Sequence, residues 1–341
     1  MRREPTVTRA VSATAVAHPN IALIKYWGKR DEELMLPATD SLSMTLDIYP
    51  TTTTVRVLPT ADRDDINLDG QPAAGAAAAR VVRFLDVLRA AAGRSDRLRV
   101  DSRNTVPTSA GLASSAAGFA ALALAGAAVF GLDPDPTAVS RLARRGSGSA
   151  SRSLFGGFAL WYAGEGDGAA GDRSSYAVAL DGGALDPALV VALVDTGPKV
   201  ISSREAMRRT VDTSPLYPAW VDASKPDLVE MREAIAAGDL PVVGEIAERN
   251  ALGMHAVMQS ARPAVRYLTA ASWTVIDRVE TLRRRGVCAH VTIDAGPNVK
   301  VLCARADAAQ VARALTELGC TRTVAVAGPG PGARLIAGGQ P

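Results

Sequence analysis

From Ala110 to Leu132 the chain carries no ionisable side chain, and a turn-prone run of small residues introduces that stretch. Read from Asn104 it is NTVPTSAGLASSAAGFAALALAGAAVFG, with Pro107, Thr108, Ser109 and Gly111 leading into Ser114 and Ser115. A helix without charge on any face has to be buried, and the small residues before it read as a loop. The first N–H groups of a helix lack internal partners and carry partial positive charge, so the start of this one suits a phosphate. Gly111 lets backbone approach a ligand, and the hydroxyls of Ser109, Ser114 and Ser115 can meet phosphate oxygens or, at Ser115, a magnesium ion. The run is long enough to span a bilayer, but its Ala and Gly content is weakly apolar for lipid and favours a soluble core. A core helix capped by Ser114, with no ligand, fits the same residues.

At 341 residues the chain suits one large or two medium domains. Its 38 basic and 35 acidic side chains leave a net charge of +3, too little to argue for nucleic acid. Cys288, Cys303 and Cys320 show no paired spacing, which points to a reducing compartment without a metal cluster. The histidines, His18, His255 and His290, are too scattered for a zinc site. The N-terminus has charge but no continuous apolar core, so a cytoplasmic location is expected rather than secretion.

Along the chain, residues 1–12 read as a loose leader. Alternation predicts half-buried strands over Ser43–Ile48 and Thr53–Leu58. Val81, Val82, Leu85 and Leu88 recur at helical spacing, with Arg80, Arg83 and Asp86 on the polar side. A strand over Leu98–Asp101 leads into the phosphate loop. Helices are expected over Pro134–Arg145, Lys225–Ala237, Leu240–Ser260, Val265–Arg285 and Asp307–Leu318. Strands are expected over Ser153–Tyr162, Tyr176–Leu180, Ala188–Asp195 and Thr323–Val326, and around Asp294. The acidic piece GEGDGAAGD reads as an exposed hairpin loop, and the Gly-Pro run from Gly328 as an extended tail. Strands and helices do not alternate regularly, which favours an α+β fold.

Four stretches carry candidate chemistry. HPNIALIKYWGKR sets Lys25, Tyr26, Lys29 and Arg30 around a Trp and a Gly, as a polyanionic ligand would require; a solvated charged turn is the alternative. The phosphate loop ends in neither GK[ST] nor GxGxxG, so backbone amides and serines would hold the phosphates. In SRLARRGSGSASRSLFGG, Ser147, Ser149 and Arg152 lie on a turn that can press against an anion, whereas Arg141, Arg144 and Arg145 read as a solvated face. Asp294, at the end of an apolar strand and before a Gly-Pro turn, needs a cation to stay charged, with Lys25 and Arg152 as candidates. It could equally cap the turn.

The loop VPTSAGLASSAAG resembles that of the superfamily containing galactokinase, homoserine kinase, mevalonate kinase and phosphomevalonate kinase. NIALIKYWGKR, RRGSGSASRSLFGGF and DAGPNVKVL are similar to its decarboxylase branch, the diphosphomevalonate decarboxylases, and the likeness covers most of residues 13–305 in order. His18-Pro19 departs from the Ala-Pro usual in kinase relatives.

The resemblance implies an α+β, two-lobed small-molecule-kinase fold with a deep cleft. An N-terminal ATP-binding lobe would span residues 13–195, a C-terminal α/β lobe residues 196–333, and a tail residues 334–341. It implies ATP and Mg²⁺ as cofactors, a phosphorylated mevalonate as small-molecule substrate, a homodimer, and no nucleic-acid or membrane partner. Asp294 and Lys25 match catalytic positions, and Asn20, Tyr26, Lys29, Ser147, Ser149, Arg152, Ser203, Arg204 and Met207 match substrate-binding ones. Pro107, Ser109, Ala110, Gly111, Leu112, Ser114 and Ser115 match the ATP loop, with Ser115 the candidate metal ligand and Lys199 a further phosphoryl contact. A monophosphate decarboxylase, a 3-kinase of the same fold and a non-catalytic nucleotide or metabolite sensor remain as alternative readings.

Overall fold

The computed structural model describes residues 11–106, 114–195, 197 and 201–337. The expected loop residues Pro107, Ser109, Ala110, Gly111 and Leu112, the Ser114 side chain and Lys199 lie outside this set. The charge-free helix is Ser114–Phe130, and it is buried as its composition demands. It packs beneath a six-stranded sheet ordered Arg334–Ile336, Ser12–Ala17, Thr51–Leu58, Arg97–Asn104, Asp65–Leu68, Gln71–Pro72. Its core partners include Val55, Leu85, Leu88, Leu98 and Val139.

A second sheet orders Ala177–Leu180, Phe158–Trp161, Ser41–Thr45 and Asn20–Ile24. A third, antiparallel throughout, orders Ala289–Ile293, Val299–Ala304, Pro187–Leu193 and Thr323–Ala327. Helices Ala270–Arg284 and Ala308–Thr316 cover one face of the third sheet, and Leu240–Gln259 and Tyr217–Ala237 pack toward the other. Ile21, Leu23, Leu42 and Met44 of the second sheet share a core with Ile246 and Ala247 of helix Leu240–Gln259, and with Leu302 of the third sheet. Helix Leu240–Gln259 packs against both strand Asn20–Ile24 and strand Ala289–Ile293, and Thr292 Oγ1 donates to the Ala22 carbonyl at 3.2 Å, bringing the two strand ends together. The α+β architecture is therefore the expected one.

Several local expectations change. Strand Ser41–Thr45 is buried at every position, not half-buried, because its hydroxyls bond inside the fold: Thr45 Oγ1 donates to the Phe155 carbonyl at 2.8 Å and Ser41 Oγ meets Arg152. The stretch expected as strand Ser153–Tyr162 is a 3₁₀ segment, Gly148–Leu154, followed by strand Phe158–Trp161. The acidic hairpin contains a short helix, Gly168–Ser174. Helix Tyr217–Ala237 starts before Lys225 and contains Pro226, while the helix expected from Val265 begins at Ala270, where a Thr269–Ser272 capping box satisfies its first amides. The Gly-Pro tail returns, so that Arg334–Ile336 pairs with Ser12–Ala17.

Candidate active site

Where the second and third sheets meet helix Ser114–Phe130, a cleft of about 550 Å³ opens. Lys25 stands one residue beyond strand Asn20–Ile24, and Asp294 one residue beyond strand Ala289–Ile293. Both side chains turn into this cleft. Lys25 Nζ donates to Asp294 Oδ1 and to the Ala22 carbonyl, each at 2.8 Å. The Lys25 amide donates to Asn250 Oδ1 at 2.9 Å, and Asn250 Nδ2 donates in turn to Asp227 Oδ2 at 2.9 Å.

Asp294 keeps a third of its side chain exposed, 33%, while its other oxygen lies 3.3 Å from Lys300 Nζ. Burial alone would raise its carboxyl, but the ammonium groups of Lys25 and Lys300 outweigh that and hold it well below the carboxylate range. Burial pushes the Lys25 ammonium down to about 8, against the pull of Asp294 and with repulsion from Lys300 and Arg152. Arg152, expected as a direct partner of Asp294, instead bonds Asn20 and Ser41. Lys300, unnoticed in the sequence, supplies the second cation.

Arg152 is buried; its Nε and Nη2 donate to Asn20 Oδ1 at 3.3 and 3.2 Å, and Nη1 donates to Ser41 Oγ at 2.5 Å. Burial lowers its guanidinium to about 10. Asn20 Nδ2 donates to the Ser149 carbonyl and Ser153 Oγ, so the Asn20 amide is engaged by the protein and fixes Arg152. His18 does not line the cleft; its carbonyl accepts from Ser153 Oγ at 2.7 Å, so its effect travels through backbone.

Tyr26 packs edge-on against Trp161 at 4.8 Å, and its buried hydroxyl has no partner among the described residues. Burial raises that phenol. Gly148 permits this packing, since a Cβ there would lie 2.8 Å from the Tyr26 ring and 2.9 Å from Trp161. Lys29 also lines the cleft but pairs with Glu32 at 2.5 Å. Arg30 turns away and donates to the Ala163, Gly164 and Gly166 carbonyls, so it leaves the expected cationic set.

Ser115, at the start of the buried helix, places Oγ 3.4 Å from Ser147 Oγ, which lies 3.5 Å from Ser149 Oγ. Ser203, Arg204 and Met207, on the first turns of helix Ser203–Thr213, also line the cleft. The structure thus gathers every described residue expected in catalysis or substrate binding around one space, with Ser115 beside them.

Arg80 and Arg83 join them from helix Gly75–Ala92, although their side of that helix reads as solvent-facing in sequence. The Arg80 guanidinium lies 4.5 Å over the Phe119 ring and donates to the Gly146 carbonyl, and burial lowers it to about 10. Arg144, expected on a solvated face, is buried and bonds the Leu34 and Ser175 carbonyls and Asp172. The only sequence cue for these positions is a charge inside an apolar pattern, most visible for Lys300 in VKVLCA. Among the described residues, no three acidic, His or Cys side chains come together as a metal site.

Residues 17–177 match the diphosphomevalonate decarboxylase-like N-terminal domain, and residues 189–326 the mevalonate 5-diphosphate decarboxylase C-terminal domain. A diphosphomevalonate decarboxylase of Candida albicans is 38% identical over 310 residues, covering 85% of this chain and 83% of that protein. The solved mevalonate diphosphate decarboxylase of Staphylococcus aureus superposes with a TM-score of 0.91 at 37% identity, covering 96% of this chain and 98% of that one. A structure of MDDEF in complex with MVAPP, AMPPCP and magnesium superposes with a TM-score of 0.90 at 41% identity, covering 96% and 99%. With both of its halves matched by models of one family, and that family's solved structures sharing its fold, the chain belongs to the diphosphomevalonate decarboxylases.

Proposed function

We propose that this protein catalyses the ATP-dependent decarboxylation of mevalonate 5-diphosphate to isopentenyl diphosphate, releasing ADP, phosphate and CO₂. The observation that carries the reading is Asp294, held between two buried lysines and facing a cleft lined by arginine, lysine and serine. A polyanionic substrate neutralises that excess positive charge, and its tertiary hydroxyl is left against Asp294, the one carboxylate lining the cleft among the described residues.

ATP would transfer its γ-phosphoryl group to the 3-hydroxyl, whose proton passes to solvent as ADP leaves. The C3–O bond then breaks with its electron pair leaving on phosphate. The C1–C2 pair becomes the C2–C3 double bond, and the former carboxylate departs as CO₂. Asp294 is a weak proton acceptor between its cations, so it orients the hydroxyl as a hydrogen-bond acceptor and stabilises positive charge at C3. Lys25 keeps that carboxylate ionised and in place. Arg152, Tyr26, Lys29 and Ser147 bind the anionic ends of the substrate, with Ser149, Ser203, Arg204 and Met207 completing the wall.

The start of helix Ser114–Phe130 suits ATP phosphates, and Arg80 and Arg83 add charge beside it. Magnesium usually takes most of its oxygens from phosphate and water, and Ser115, which lines the cleft, would offer its hydroxyl for the remainder. Bound there, the ion would neutralise charge on the transferred phosphoryl group.

In this reading the ATP-binding lobe ends before strand Pro187–Leu193, earlier than the expected boundary at residue 195, because that strand pairs within the third sheet, in the lobe that brings Asp294. Among the described residues no helix is long and apolar enough to cross a membrane. A cytoplasmic homodimer completes the reading, to be checked by fractionation and sedimentation. The deciding experiment incubates the protein with ATP, Mg²⁺ and either mevalonate 5-phosphate or the 5-diphosphate, following ADP and CO₂ together. Equal release of both products with the diphosphate supports the proposal, whereas ADP without CO₂, or preference for the monophosphate, overturns it.

A further inference from the structure

Lys300 sits within the central strand Val299–Ala304, opposite Thr292 on one neighbour and Val191 on the other. Val299, Val301 and Cys303 point into the core beneath helices Ala270–Arg284 and Ala308–Thr316, so Lys300 faces the other side, toward helix Leu240–Gln259. It is 2% exposed and does not line the cleft. An ammonium in such a place costs more than an apolar side chain of the same length unless an anion meets it. Its contacts are the Asn298 carbonyl and Asp294 Oδ2, each at 3.3 Å, and among the described residues no other carboxylate lies within ion-pair distance of it.

We infer that Lys300 is a positioning residue for the proposed reaction: it clamps the second oxygen of Asp294 while Lys25 holds the first, setting the carboxylate's rotation and keeping it ionised. One cation would leave the carboxylate free to swing about the Lys25 contact. Two, arriving from different strands, fix the plane in which the substrate hydroxyl must dock. Lys300 also donates to the carbonyl of Asn298, whose Oδ1 accepts from the amides of Val194 and Asp195. The clamp is thus anchored to the end of a third strand.

The other charged or titratable groups facing Asp294 are Lys25, Arg152 from the 3₁₀ segment, and His255 from helix Leu240–Gln259. Burial, with the nearby charge of Lys25, depresses His255 to about 4. It is neutral near pH 7 and does not replace Lys300.

The inference rests on the decarboxylase reading, and its test compares wild type with Lys300→Met, an uncharged side chain of similar length. Turnover is expected to fall about tenfold or more with KM changed less than about threefold. The acid limb of the kcat profile is expected to move up by about one pH unit, because one of two cations no longer opposes protonation of Asp294. A folded variant with wild-type turnover and an unmoved limb overturns the inference, as does a loss confined to KM or to melting temperature. If Lys300→Met does not fold, Lys300→Arg decides: an acid limb in its wild-type place supports the clamp, and a displaced one overturns it. A wild-type protein that releases no CO₂ sinks the decarboxylase reading alone. The readout is then the melting temperature against pH without substrate, where an acid transition at higher pH in Lys300→Met supports the clamp and an unchanged one overturns it.

Discussion

Lys25 Nζ and Asp294 Oδ1 lie 2.8 Å apart although 269 positions separate them in the chain. Each follows the last residue of a buried strand, and the two strands meet where Thr292 Oγ1 donates to the Ala22 carbonyl at 3.2 Å, with helix Leu240–Gln259 packed against both. The ion pair is therefore assembled by the union of the two halves of the protein and belongs to neither alone.

Asp294→Asn is expected to fold and to lose about 10²–10⁴ in turnover, because an amide neither carries the charge that faces C3 nor accepts as strongly from the hydroxyl. Circular dichroism and single-turnover ADP release check this. Wild-type turnover in the variant would remove Asp294 from the chemistry.

Activity and stability are expected to respond oppositely to alkali. Lys25 titrates at about 8 in the folded protein against 10.5 ordinarily, so turnover that needs its charge declines as pH rises through about 8. Between those values the unfolded chain holds a proton that the folded one has released, and stability from this group rises with pH. Asp294 acts at the other end: its folded value lies below the ordinary 3.8, so its contribution is complete above that pH and is lost as pH falls toward the folded value. Urea midpoints measured across pH, with Lys25→Met as the control that lacks the alkaline rise, check the sign.

Arg152→Lys is expected to raise KM by about tenfold, since a single ammonium cannot bond both Asn20 Oδ1 and Ser41 Oγ and still present a planar fork to an anion. Steady-state kinetics with the diphosphate substrate give the answer. Unchanged constants would show that charge alone suffices there.

Gly148→Ala is expected to cost about 1–3 kcal/mol of stability through overpacking against Tyr26 and Trp161. It should also raise KM by displacing the Tyr26 hydroxyl. Thermal denaturation together with KM tests the pair of effects, and a melting temperature equal to wild type would contradict the packing.

What could be read from the chain alone was local. The charge-free run had to be a buried helix, since no face of it can meet water, and Gly-flanked Ser147, Ser149 and Arg152 had to form a tight turn. The family motifs named Asp294 and its companions because those residues follow one another in short, contiguous runs. Tertiary structure decided which cation meets which carboxylate. Arg152 turns to Asn20, Lys300 reaches Asp294, Lys29 pairs with Glu32, and Arg144 goes inside to meet Asp172. A polar residue on a periodic element reads as solvent-facing until the element that covers it is known. Arg80, Arg144, Ser41 and Lys300 were illegible for that reason: periodicity describes one helix or strand, whereas burial of a charge depends on a partner brought from a distant part of the chain.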